Sequence, residues 1–275
     1  MPRRHFTLGC AADTHFRMTH RTAHGRLLAA IAFIGLALFQ PALATAQSDA
    51  DDDARYRACM ARIETDPQGA FDMALNWTGL GGGIGARHCS AAALLALGLP
   101  KDAAVRLESI AHDHQGPARQ RARLLADAAQ AWLNADELER AEGVLDSALL
   151  LEDQNPDIWI SRAVVRASRD NLSGAQTDLD SAILLDPFDG EALALRANAR
   201  RRLGQSDGAL QDAERALMID PRFPEALLER GLLRATAGDL AAARKDWLSI
   251  LNVAPDSAAA DAARENLEQM DVRKP

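Results

Sequence analysis

Residues 190–221 read GEALALRANARRRLGQSDGALQDAERALMIDP, and this stretch decides the fold. Small and apolar residues recur at helical spacing from Gly190 to Arg202, and again from Asp207 to Ile219. The two runs are broken at Gly204 and closed by Asp220-Pro221. A glycine supplies the left-handed residue that ends a helix. A proline cannot continue the second helix and restricts the residue before it. The stretch therefore predicts a helix, a turn and a second helix.

The same unit recurs on both sides. Ala141, Ala175, Ala209 and Ala243 are spaced by 34 residues, and so are Pro187, Pro221 and Pro255. Seven residues after each of those alanines stand Ala148, Ala182, Ala216 and Ile250, and small residues recur at Ala129, Ala163, Ala197 and Gly231. A fixed period of this length signals a repeat array, in which each unit buries its apolar face against its neighbours. The composition agrees: 48% of residues are hydrophobic but only 4% aromatic, so the core is built from the best helix formers, Ala and Leu.

This pattern resembles the tetratricopeptide repeat. Trp159, Ala163, Ala175, Leu179, Ala182 and Pro187 fit the family's spacing, as do Leu193, Ala197, Ala209, Ala216 and Pro221, and Leu227, Gly231, Ala243, Trp247 and Pro255. Leu125, Ala129, Trp132, Ala141, Leu145 and Ala148 give a further unit without the final proline. A weaker unit, with Ala91, Gly98, Ala103, Leu107 and Ile110, is offset by four residues, and the insertion is expected to lengthen the loop at His112–Pro117. The resemblance implies an all-α, right-handed solenoid of antiparallel helix hairpins. The expected organisation is a presequence over 1–46, an N-terminal hairpin and Gly-rich link over 47–83, about five repeats over 84–257, and a capping helix and tail over 258–275.

The N-terminal residues read as a secretory signal peptide: Arg21 and Arg26, an apolar run from Leu27 to Phe39, and the small-residue site Ala44-Thr45-Ala46. The run is too short to span a bilayer, so no stable membrane span is expected after cleavage. Met18 is an alternative start. The expected location is outside the inner membrane, most simply the periplasm. Without residues 1–46 the chain keeps 26 basic against 38 acidic groups, which disfavours a nucleic-acid partner. Cys59 and Cys89 also remain, and in an oxidising compartment two cysteines most simply form one disulfide.

Two rows of charge follow the repeat. Arg162, Arg196 and Arg230 each precede Asp178, Asp212 and Asp246 by 16 residues, with the turn about midway, which predicts an ion pair across each hairpin. The preceding unit has Ala128 and Val144 instead, so both charges are lost together. A second row, Arg166, Arg200 and Arg234, has no evident partner and reads as a solvated basic ridge or as a contact surface for an acidic segment.

Other constellations carry less. The stretch Gly79–Gly85 contains neither the Lys-Ser/Thr of a phosphate loop nor a preceding strand, and reads as a flexible link. His88 and Cys89 are adjacent and so point about 100° apart on a helix. His112-Asp113-His114 holds two metal-ligand types, with a solvated loop as the simpler reading. No catalytic residue, metal or cofactor is expected. By resemblance, the first helix of each repeat lines a groove that holds a protein or peptide partner. Its expected lining is Ile160, Val164, Leu195, Asn198, Arg202, Leu228 and Leu232, an apolar set suited to an apolar segment. The competing readings are a metal-handling or thiol-dependent enzyme using the N-terminal half, and a self-associating structural protein.

Overall fold

A computed structural model describes residues 41–272, with side chains from residue 51 onward. The expected leader residues up to 40 therefore lie outside the described residues. The chain divides into two units at Asp51/Asp52. The described part of the first, residues 41–51, is helical. Among the described residues there are thirteen helices and no strand.

The helices are α1 (Pro41–Ile63), α2 (Pro67–Gly79), α3 (Gly83–Ala96), α4 (Pro100–Asp113), α5 (Ala118–Asn134), α6 (Leu138–Leu151), α7 (Pro156–Ser168), α8 (Leu172–Leu185), α9 (Gly190–Arg202), α10 (Ser206–Ile219), α11 (Pro224–Thr236), α12 (Leu240–Val253) and α13 (Ala258–Val272). From α2 onward each helix packs on its neighbours in sequence. The odd-numbered helices from α5 to α13 also touch the next odd-numbered helix directly. The result is an all-α solenoid of stacked hairpins in which α5, α7, α9, α11 and α13 share one face.

Local chemistry sets the boundaries. Asp189 begins α9 by accepting hydrogen bonds from the Glu191 and Ala192 amides, and Asp239 caps α12 through Ala242. Pro156 and Pro224 occupy the first positions of α7 and α11, where a missing N–H costs nothing. The turn inside each hairpin needs one left-handed residue, with φ of 76° at Gly204 and 89° at Gly238. Asp136 and Asp170 fill the same position at φ of 60°, since a short polar side chain tolerates this region better than most.

The insertion ahead of α5 corrects the expected loop. The connection is residues 114–117, no longer than the connections before α7, α9 and α11. The four extra residues form an added turn at the start of α5, which has 17 residues against 13 in α7, α9 and α11. A whole turn leaves the buried stripe of α5 in phase, so the stack continues undisturbed.

The core is largely alanine. Ala175, Ala182, Ala192 and Ala216 are fully buried around Leu179, Leu193 and Trp247. A second cluster surrounds Leu107, Trp132 and Leu145. The three hairpins differ at one pair of equivalent positions, which holds Ala163 and Leu179, then Ala197 and Ala213, then Gly231 and Trp247. A Cβ on Gly231 would lie 2.8 Å from Trp247 Cδ1, so the glycine makes room for the ring. The Gly79–Gly85 stretch has a similar cause and is not a mere link. A Cβ on Gly82 or Gly85 would overlap the buried Trp77 ring, and Gly81 is left-handed at φ of 89°.

Candidate protein-binding face

The charge rows form the same buried ion pairs in three successive hairpins. Arg196 donates through Nε to Asp212 Oδ2 at 2.8 Å and through Nη2 to Oδ1 at 2.7 Å. Arg162 grips Asp178 in the same bidentate way, and Arg230 grips Asp246. Asp178, Asp212 and Asp246 are buried. The separation of 16 residues works because the two helices of a hairpin run antiparallel about a turn midway between the partners.

The second row is not a solvated ridge. Arg166, Arg200 and Arg234 lie one turn further along the same helices and donate to the same three aspartates, at 2.9, 2.7 and 2.8 Å. Each buried carboxylate thus holds two guanidinium groups. A sign of this stood in the repeat. The unit that lacks the first arginine and the aspartate, at Ala128 and Val144, also lacks the second arginine and has Trp132 in its place.

The nodes also join successive hairpins. Arg162 Nη1 reaches Asp146 on α6, and Arg196 Nη1 reaches Asp180 on α8, each at 2.7 Å. Trp132 Nε1 donates to Glu108 of the preceding hairpin in a related way. Burial opposes charge on Arg162 and Arg196, but hydrogen bonds to their two aspartates outweigh it and raise their pKa values. Burial likewise pushes Glu142 upward, yet Arg166 and Arg169 hold its carboxyl below the ordinary glutamate value of 4.5.

The residues expected to line the groove are placed unevenly. Val164, Leu195, Leu228 and Leu232 are half-buried on the odd-numbered helices, and the last three pack against the core. Ile160 is only 3% exposed and belongs to that core. The odd-numbered helices approach one another closely, and this closes over a side chain that helical periodicity alone leaves at the surface. Asn198 Nδ2 donates to Glu229 Oε1 at 2.7 Å, and Arg201 Nε donates to Glu229 Oε2 at 2.7 Å. Glu229 is buried and ties α9 to α11. Arg202 is exposed and pairs with Asp170 at 2.7 Å. The face is therefore a half-buried apolar floor crossed by fixed polar ties, less open and less apolar than the sequence suggests. Glu229 escaped the sequence reading because its partners come from the preceding repeat.

The N-terminal end is held differently. Cys59 of α1 and Cys89 of α3 form a disulfide with Cα atoms 6.3 Å apart, and both are buried. Tyr56 Oη lies 3.0 Å from His88 Nδ1, and His88 Nε2 lies 3.9 Å from Asp127 Oδ2 on α5. Trp77 donates to Asp52 at 3.1 Å. His114 Nε2 and Gln120 Oε1 are 2.8 Å apart, while His112 is exposed. Among the described residues no three His, Cys, Asp or Glu side chains gather as metal ligands. Nor is any described helix long and apolar enough to cross a membrane.

No protein-family model and no curated protein matches the chain. Solved structures do. PilF of Pseudomonas aeruginosa matches 79% of this chain and 98% of its own, with TM-score 0.62 and 15% identity. MamA from Desulfovibrio magneticus RS-1 matches 61% and 93%, with TM-score 0.52 and 18% identity. YrrB, described as a TPR protein with an unusual peptide-binding site, matches 66% and 91%, with TM-score 0.50 and 18% identity. At these identities the likeness is one of fold.

Proposed function

We propose that this chain, whose fold is that of tetratricopeptide-repeat proteins, is an exported scaffold that holds a partner polypeptide on the face shared by its odd-numbered helices. The carrying observation is the direct contact of α5, α7, α9, α11 and α13 in series, which makes five helices one continuous surface. Its polar ties, Asn198–Glu229–Arg201 and Arg202–Asp170, hold that surface in one arrangement before any partner arrives. A pre-ordered surface loses less entropy on binding. The peptide-binding site attributed to YrrB supports the same kind of use. A role in assembling envelope or exported complexes accords with the leader-like N-terminus and with a disulfide, which persists in oxidising compartments.

The test is crosslinked capture from envelope extracts by the wild-type chain and by a Val164→Glu/Leu232→Glu variant. The variant must keep the wild-type circular dichroism and melting curve. Loss of a captured protein by the folded variant supports the face. Capture of the same proteins by both would reject it. Mass analysis of the chain recovered from cell fractions tests export: a mature N-terminus at Gln47 in the periplasmic fraction is expected, and an unprocessed cytoplasmic chain refutes it.

A further inference from the structure

The large apolar side chains most open to solvent in the repeats are not on the odd-numbered face. They stand on the even-numbered helices and in the loop after α8. Leu150, Leu184 and Met218 are 89, 82 and 75% exposed, and they occupy one position of the repeat, near the C-terminal ends of α6, α8 and α10. Phe188, in the loop after α8, and Ile219, next to Met218 in α10, are also exposed. Isolated exposed leucines are ordinary, but large apolar side chains at the same place in three consecutive repeats form a regular row.

Carboxylates border the strip on both sides. One turn before the apolar row stand Asp146, Asp180 and Glu214, all exposed. Two residues after it stand Glu152, Asp186 and Asp220. Asp186 and Asp220 accept backbone hydrogen bonds from Phe188 and Arg222, which orders the loops and leaves the charges in place. Arg162 and Arg196 reach Asp146 and Asp180 from beneath. Arg215 and Arg222 are the nearby outer cations. The three rows end together: in α12 and its following loop the corresponding residues are Leu248, Asn252 and Ala254. Apolar row and acidic borders thus coincide over the same three repeats, as parts of one surface would.

We propose that this strip along α6, α8 and α10 docks a basic, apolar segment of another polypeptide, with apolar side chains against Leu150, Leu184 and Met218 and Lys or Arg against the borders. Charge complementarity selects this occupant. Acidic borders repel the same strip of a second copy, and they repel an anionic membrane surface.

The probe is a labelled helical peptide of leucine and lysine, beside its leucine–glutamate counterpart, titrated into the whole chain and followed by fluorescence anisotropy. The lysine peptide is expected to bind, more weakly at high salt, and a Leu150→Ser/Leu184→Ser/Met218→Ser variant is expected to lose about tenfold or more in affinity. These side chains are already in water, so the variant should keep its melting temperature. A Val164→Glu/Leu232→Glu variant should bind the peptide as wild type does, which separates this strip from the odd-numbered face. Equal binding by wild type and the serine variant, equal binding of both peptides, or no binding of either overturns the proposal. So does a wild-type dimer in sedimentation that the serine substitutions dissolve, because the occupant is then a second copy.

Discussion

Replacing Arg196 with alanine should destabilise the fold by about 3 kcal/mol, because it removes two of the three charge-assisted hydrogen bonds to buried Asp212, each worth about 1.5–3 kcal/mol. The loss stays at the foot of the cost of a stranded buried charge, about 3–5 kcal/mol, because Arg200 still holds the carboxylate. The lost contact with Asp180 adds little, since that side chain is half exposed. Arg200→Ala removes one bond to Asp212 and should cost about 1.5 kcal/mol. The double variant should approach the upper end of that range, with only Arg215, 4.0 Å away, left beside the carboxylate. The assay is urea unfolding followed by helical circular dichroism. The repeat also supplies a rescue: Arg196→Ala/Arg200→Trp/Asp212→Val copies the uncharged node Ala128, Trp132 and Val144. An apolar replacement for a buried ion cluster is often neutral, so this triple variant should fall within about 1 kcal/mol of wild type. A loss below about 1 kcal/mol for Arg196→Ala, or an equal loss for Arg200→Ala, would refute the reasoning.

Gly231→Ala gains about 1 kcal/mol in helix propensity but overpacks against the Trp247 ring. A net loss of about 1 kcal/mol is expected by the same unfolding assay, and adding Trp247→Leu, the pairing seen at Ala163 and Leu179, should recover it. Glu142 has a depressed pKa in the folded chain, so its contribution is present above the unfolded value of 4.5 and is lost as pH falls below that through the folded value. Stability should therefore fall as the pH drops through and below 4.5, and less steeply in Glu142→Gln; an identical slope would refute the assignment. Cys59→Ser/Cys89→Ser opens a loop with a sequence separation of 30 and should cost about 3–4 kcal/mol in the chain-entropy model. A melting temperature unchanged from that of the oxidised wild type would contradict this.

Much of this architecture is written in short-range chemistry. The 34-residue spacing, the helical periodicity, Gly204 and Gly238 at the turns and Pro156 and Pro224 at helix starts depend on local backbone preference, so they are legible in the chain itself. The Arg196–Asp212 contact is legible too, because a hairpin of known length converts sequence separation into proximity. Contacts made between repeats obey no such rule. Arg196 with Asp180, and Glu229 with Asn198 and Arg201, depend on the angle at which hairpins stack. The sharing of one aspartate by Arg196 and Arg200 needs depth as well as register. Burial of Ile160, the absorption of four residues into α5, and the packing of Trp77 over its glycines were likewise decided by tertiary structure, because each depends on how closely neighbouring helices approach.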